Sequence, residues 1–329
     1  MRYRRLGRTE LDVSILSLEA SPMGLAYRSA EQDEAFRCVR LALDGGINVI
    51  DVSPVLGEGR SEALLGEALR GVPREQYLLA GKCGRLGPGP GQCDYSAAGV
   101  QRSIDASLDR LGTDHFDLLQ AHDIECGDEE QILGETLPAL ARAREQGKAR
   151  FVGVTALPLG PIERAAASDL VDTVMSYAHY TLQNTGLVRL LPGLKEKDLG
   201  VIAAAPLGMG LLSSAGPADR HPAPERVRQY CARAAGRAEK YGIPISKLAI
   251  QYATARPEIH TTLLATASPD QLRRHLKWID EPINEELLAQ IQDVLAPVHN
   301  VTWAHGRTEN NPPEVLGAEA RSQRLGPGA

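Results

Sequence analysis

Short apolar runs alternate with longer amphipathic ones along most of the chain. Eight of the short runs read as strands: Ile15–Ala20, Ile47–Asp51, Tyr77–Lys82, Phe116–Gln120, Phe151–Thr155, Thr173–Tyr177, Gly200–Ala204 and Thr261–Ala265. Each is apolar throughout instead of alternating, the mark of parallel strands covered on both faces. Between them lie helical patterns such as Glu31–Leu43, Ala97–Leu111, Glu129–Glu145 and Gly186–Leu199. Ser61 and Ser268-Pro269 read as capped helix starts. Eight strands, each followed by a helix, predict a closed (β/α)8 barrel of the α/β class.

Two segments fall outside the repeat. Residues Tyr3–Ser14 read as a hairpin turning near Gly7-Arg8-Thr9, able to plug the bottom of the barrel. After a last helix over Ile283–Leu295 comes an irregular stretch through Pro297–Trp303. The division expected is a barrel over residues 1–307 and a disordered Gly/Pro-rich tail over 308–329.

Composition narrows the classes. With 329 residues, 43% hydrophobic and 24% charged, the chain suits one large globular domain. A formal net charge of -6 and 4% aromatics argue against a generally basic nucleic-acid binder or a stacking platform for single strands. The basic N-terminus is not followed by an apolar run of signal-peptide length, and nothing approaches the ~18 apolar residues of a membrane span. Five scattered cysteines lack metal-ligand spacing, so no metal site is expected and reduced thiols in the cytoplasm are the plain reading.

In a (β/α)8 barrel, chemistry sits at the C-terminal ends of the strands. Asp51, Lys82, His122 and Thr155 end apolar strands there. A charge in that position costs several kcal/mol unless it is paired, so these residues should meet, either as a catalytic cluster or as a buried network that only holds the barrel.

The stretches LGRTELDVS (6–14), SPMG (21–24), INVIDVSP (47–54), GRSEALLGEAL (59–69), KCGR (82–85), SIDASLDRLGTDHFDLLQAHDIE (103–125), GKARFVGVTALPL (147–159), MSYAHY (175–180), PLGMGLL (206–212) and VHNVTW (298–303) resemble, in order, those of the aldo/keto reductases, most nearly the L-galactose and related aldose dehydrogenases. The resemblance implies a nicotinamide-dependent reaction at a small carbonyl compound, with Asp51, Lys82 and His122 in the catalytic group. It also implies a tyrosine five residues after Asp51, and that position holds Leu56. A leucine cannot transfer a proton.

Other family positions differ as well. The glycine pair ending the first barrel strand reads Ser17-Leu18-Glu19, so Glu19 brings bulk and charge where the nicotinamide would lie. The adenine-binding pair reads Arg274-His275, and the two cations for a 2′-phosphate read Ala265 and Gln271. On the cofactor side Thr155, Ser176, Ser268 and Gln271 remain. Tyr27, Leu56, His179, Tyr180 and Trp303 are the candidates for the substrate pocket, with Tyr27 a conceivable stand-in for the missing tyrosine.

These departures lead to the expectation of no bound cofactor and of redox-neutral acid/base chemistry by Glu19, Asp51, Lys82 and His122, of lyase, dehydratase or isomerase type. The alternative is an NAD-dependent aldose oxidoreductase that tolerates the changes. A third reading is a non-catalytic binding barrel, against which the retained polar cluster speaks. The expected partner is a small-molecule substrate, with no nucleic acid and no membrane. Oligomeric state is not legible.

Overall fold

The computed structural model describes residues 1–316 except Pro88 and Pro90. Two strands, β1 (Tyr3–Arg5) and β2 (Asp12–Ser14), pair antiparallel as a hairpin. Eight more follow: β3 (Leu16–Glu19), β4 (Val49–Asp51), β5 (Leu78–Cys83), β6 (Phe116–Ala121), β7 (Ala149–Ala156), β8 (Thr173–Tyr177), β9 (Gly200–Ala204) and β10 (Thr261–Ala265). They are parallel and close in chain order, β10 pairing with both β9 and β3. The expected barrel is therefore the observed one, each strand within two residues of the run that announced it.

Side chains on a strand alternate between faces, and here the faces are the barrel interior and the helical shell. Val49, Ala80, Leu118, Met175, Ile202 and Leu263 fill the interior together with Leu6, Leu11 and Val13 of the hairpin. The hairpin is thus the bottom plug that its sequence suggested. Burying each of its three apolar side chains is worth roughly 1.5–3 kcal/mol. Its turn seats against the start of β9: a Cβ on Gly7, at φ +50°, would lie 2.4 Å from the carbonyl oxygen of Asp198. Only glycine fits there.

The shell departs from expectation in three places. The Glu129–Glu145 pattern is one helical run carrying a π-helical segment, Ile132–Thr136. Gly186–Leu199 is shorter than expected, a 3₁₀ turn over Gly186–Leu190 leading into a helix that ends at Glu196. Two helices, Glu225–Glu239 and Ile245–Ala255, separate β9 from β10.

The C-terminal segment corrects a further expectation. Residues 308–316, assigned to a disordered tail, return to the barrel. A 3₁₀ turn spans Thr308–Asn310, and Asn310 and Asn311 are each only 7% exposed. The Asn310 amide donates to the carbonyls of Glu125 (2.9 Å) and Gly127 (3.0 Å), and the Arg307 N–H donates to Glu125 O (2.9 Å). Side-chain amides thus anchor a segment that lacks apolar mass. Residues 317–329 of the expected tail lie outside the described residues. Among the described residues, no helix is long and apolar enough to cross a membrane.

Candidate active site

The register of the strands decides what shares the C-terminal mouth. Glu19 pairs with Asp51 across β3 and β4, and Lys82 pairs with Gln120 across β5 and β6. Lys82 forms a buried ion pair with Asp51, which faces the interior next to it. Burial pushes the Asp51 carboxyl up, against the pull of Lys82. His122 follows β6, its N–H donating to Cys83 O (2.9 Å). Glu19, Asp51, Lys82 and His122 thus occupy one mouth.

Glu19 is half-buried and makes no salt bridge to Lys82 or Arg85. It accepts instead from the Ser21 N–H (2.9 Å), because Asp51 takes Lys82 and Asp123 takes Arg85. Burial and then the neighbouring Asp51 push its carboxyl above the ordinary value, toward the neutral acid. The charge expected at this position is correspondingly weakened. Its bulk remains.

His122 is lowered to about 4, chiefly by burial, with Lys82, Arg85 and His305 adding to the effect against the pull of Asp123. It is neutral at physiological pH. Its Nε2 lies 3.7 Å from Asp123 Oδ1, and its Nδ1 is buried without a partner. Gln120 beside Lys82 is similarly unsatisfied, both amide atoms being buried and unpartnered. Unpaired buried amides are costly, and this one faces the mouth.

Leu56 stands on the loop after β4, half-buried, where the family resemblance places a tyrosine. The loop is clamped onto the segment after β3. Ser61 Oγ donates to Leu56 O (2.8 Å) and Ser21 O (2.7 Å), and a Cβ on Gly24 would lie 2.7 Å from Leu56 O. Ser61 is therefore no cap. It sits inside the helix Arg60–Leu69, whose preceding residue Gly59 turns the chain at φ +88°.

Two pocket candidates face elsewhere. Tyr27 is 69% exposed with the Arg60 guanidinium 5.2 Å from its ring centroid, so it does not replace the missing hydroxyl inside the mouth. Tyr180 is 4% exposed, stacked on Tyr252 (5.3 Å between centroids), and accepts from Arg256 Nε (3.2 Å). It belongs to the helical shell. His179 and Trp303 share a cavity of about 920 Å³ with Leu157, Asn184 and Asn310. Trp303 is packed edge-on against His221.

The residues assigned to the cofactor are partly engaged. Thr155 Oγ1 accepts from the Asp123 N–H (2.9 Å) and donates to Asp123 Oδ1 (3.2 Å). Ser268 caps the helix Pro269–Trp278, and Gln271 accepts from Thr266 Oγ1 (3.1 Å). Ser176 is displaced from the role by strand parity. Met175 is in the barrel interior, so its neighbour Ser176 points into the shell, where its hydroxyl is buried and unpartnered. Of the cysteines near the mouth, Cys83 is buried, its thiol pushed up to about 12 by burial, while Cys126 is half-buried.

A second polar group went unread in the sequence. Glu125, fully buried, accepts through Oε1 from the Leu157 N–H (2.9 Å), the Tyr177 hydroxyl (3.2 Å) and His305 Nδ1 (2.8 Å). Asp123, two residues before Glu125, pairs with Arg85 and lies beside His122 of the first group. Of the nine described non-glycine residues with positive φ, Asp123, Ala178 and Ala205 follow β6, β8 and β9 at this end, with φ between +49° and +58°.

The aldo/keto reductase family pattern matches residues 21–296. The chain is 40% identical over 320 residues to L-galactose dehydrogenase of Arabidopsis thaliana, covering 94% of this chain and 99% of that protein. It is 26% identical to a D-threo-aldose 1-dehydrogenase of a Pseudomonas species, covering 86% and 94% respectively. Its fold matches an aldo-keto reductase of Bacillus halodurans solved in its holo form, with a TM-score of 0.74 at 24% identity, covering 95% of this chain and all of that one. With the barrel, the Asp51–Lys82 pair and His122 at its mouth, and matches along nearly the whole length, the chain belongs to the aldo/keto reductase family.

Proposed function

We propose that this protein is a nicotinamide-dependent oxidoreductase acting on an aldose or a similar polyhydroxylated carbonyl compound. The likeness to L-galactose dehydrogenase along almost the entire chain carries this reading. It favours the oxidoreductase alternative over redox-neutral chemistry.

Two features of the mouth suit a nicotinamide dinucleotide, against the bulk of Glu19. Gln120 has an amide whose two buried ends lack partners, as a ligand with donors and acceptors of its own would require. The start of the helix Pro269–Trp278, capped by Ser268, offers a helix N-terminus to a diphosphate. Neither Ala265 nor Gln271 supplies a cation for a 2′-phosphate, so NAD is the form expected. Bound there, the nicotinamide accepts or supplies hydride. The chain's own part is electrostatic: Lys82, anchored by Asp51, stabilises negative charge developing on the substrate oxygen, and neutral His122 orients that oxygen by hydrogen bonding. His179 and Trp303 line the cavity that the sugar would reach.

Calorimetric titration with NAD⁺ and NADP⁺ tests this, followed by a panel of aldoses with nucleotide reduction read by absorbance. Micromolar NAD⁺ affinity and sugar-dependent reduction are expected. A protein that binds neither nucleotide would overturn the proposal in favour of a redox-neutral lyase, dehydratase or isomerase. The observation favouring that second reading is a leucine, Leu56, at the tyrosine's place together with a carboxylic acid, Glu19, beside Asp51.

A further inference from the structure

The segments that leave β5 and β6 are fastened to each other. After β5 the chain turns back on itself: the Asp94 N–H donates to Gly84 O (2.7 Å), the Leu86 N–H donates to Gln92 O (2.8 Å), and Arg85 and Cys93 are antiparallel partners. From this turn Arg85 pairs with Asp123, and the Tyr95 hydroxyl donates to His122 O (2.7 Å) and Asp123 O (2.8 Å). On the facing segment Cys126 ends a 3₁₀ turn over Ile124–Cys126, its N–H donating to Asp123 O (2.9 Å).

This packing brings two cysteines together that are far apart in sequence. The Cys126 thiol donates a hydrogen bond to the Cys93 sulfur. Both residues are half-buried, and both line one cavity of about 640 Å³ with Arg85 and Tyr95, which gives a small oxidant access to them. Cys38, Cys83 and Cys231 are buried instead, each with its thiol pushed up to about 12 by burial. Cys93 is the opposite case. The hydrogen bond from Cys126 pulls its thiol below the ordinary value, with Tyr95 and Arg85 adding to the pull against burial and Asp123. The thiolate is the form of cysteine that attacks an oxidant, and the same hydrogen bond holds a second sulfur against it.

We propose that Cys93 and Cys126 form a redox modification site, a dithiol that hydrogen peroxide oxidises to an intramolecular disulfide between the segments after β5 and β6. Cys93, having lost its thiol proton, attacks one peroxide oxygen. The O–O bond breaks, and the departing hydroxide takes up that proton as water. The sulfur has then lost two electrons to the peroxide and is a sulfenic acid. The Cys126 sulfur attacks the Cys93 sulfur, the S–S bond forms, and the S–O bond breaks. Hydroxide leaves with the Cys126 proton as a second water. Two thiols and one peroxide thus give one disulfide and two waters.

The test exposes the folded full-length protein to hydrogen peroxide, blocks remaining thiols with N-ethylmaleimide in denaturant, and maps the unreduced digest by mass spectrometry. A peptide linking Cys93 to Cys126 is expected, lost again on treatment with dithiothreitol, with Cys38, Cys83 and Cys231 carrying the maleimide. In Cys126→Ser the second step is blocked, so dimedone should capture a sulfenic acid at Cys93. Without peroxide, iodoacetamide should alkylate Cys93 at least about tenfold faster than any of the three buried thiols. The wild-type map needs no variant and decides the matter by itself. Cys93 and Cys126 left unoxidised, joined to any other cysteine, or cross-linked between two copies of the chain would overturn the proposal.

Discussion

At its N-terminal end the barrel is stoppered by Leu6, Leu11 and Val13, and Arg4 nearby donates to the carbonyls of Thr254, Arg256 and Ile259, with Thr173 Oγ1 at the start of β8 buried without a partner. At its C-terminal end the interior is lined by Glu19, Asp51, Lys82, Gln120 and His122. Here Asp51 Oδ2, both amide atoms of Gln120, His122 Nδ1 and Glu125 Oε2 are buried without partners. The same strands build both ends. One end is optimised for packing. The other carries polar groups at a cost that a packed core would not bear, which is why chemistry is sought there.

The largest expected separation comes from Lys82→Met. Turnover should fall by about 10²–10⁴-fold, while the barrel survives because Asp51, already pushed up by burial, takes a proton in place of its lost partner. Steady-state kinetics beside thermal unfolding checks this, and full activity would remove Lys82 from the chemistry. The mirror experiment is Leu6→Ala at the plug. A loss of about 2–5 kcal/mol in unfolding free energy is expected from the cavity left behind, with kcat/KM of the folded protein unaltered in urea-free assays.

Gln120→Leu sharpens the contrast because both effects should appear in one variant. Removing an unsatisfied buried amide should stabilise the fold by roughly 1–3 kcal/mol, measured by chemical denaturation, while weakening NAD⁺ binding in calorimetry. A variant that lost stability would mean that the amide is satisfied in solution. The smallest effect is expected at Glu19. Its pKa is raised in the folded protein, so its favourable contribution is complete below the ordinary carboxyl value and is lost as pH rises through the folded one. Glu19→Gln should therefore match wild type in melting temperature in acid and exceed it at neutral pH. Lower stability at neutral pH would restore the salt bridge that the geometry lacks.

The two ends also differ in how far the sequence announces them. Strands such as Thr173–Tyr177 and Gly200–Ala204 are legible because parallel strands covered on both faces read as short, largely apolar runs. Asp51 and Lys82 stand out as charges ending such runs. Glu125 and His305 do not, since their contact spans 180 residues and neither has a local pattern of its own. Tyr177 could have been found: it ends β8 two residues after an interior position, and the same count would have excluded Ser176. The tail was misjudged because glycine and proline content reports the chain's own poverty in apolar residues, while the Asn310 amide donates to the carbonyls of Glu125 and Gly127 and the Asn311 amide to those of His305 and Arg307.

The plug has a consequence for biosynthesis. Leu6, Leu11 and Val13 leave the ribosome before the barrel strands, yet the interior they fill is complete only when β10 pairs with β3 and β9, about 250 residues later. At ~5–20 residues per second the hairpin waits roughly 12–50 s for its socket. Throughout that interval it is an exposed apolar strand pair, and the nascent chain depends on chaperones or rapid local collapse to keep it from sticking to its neighbours.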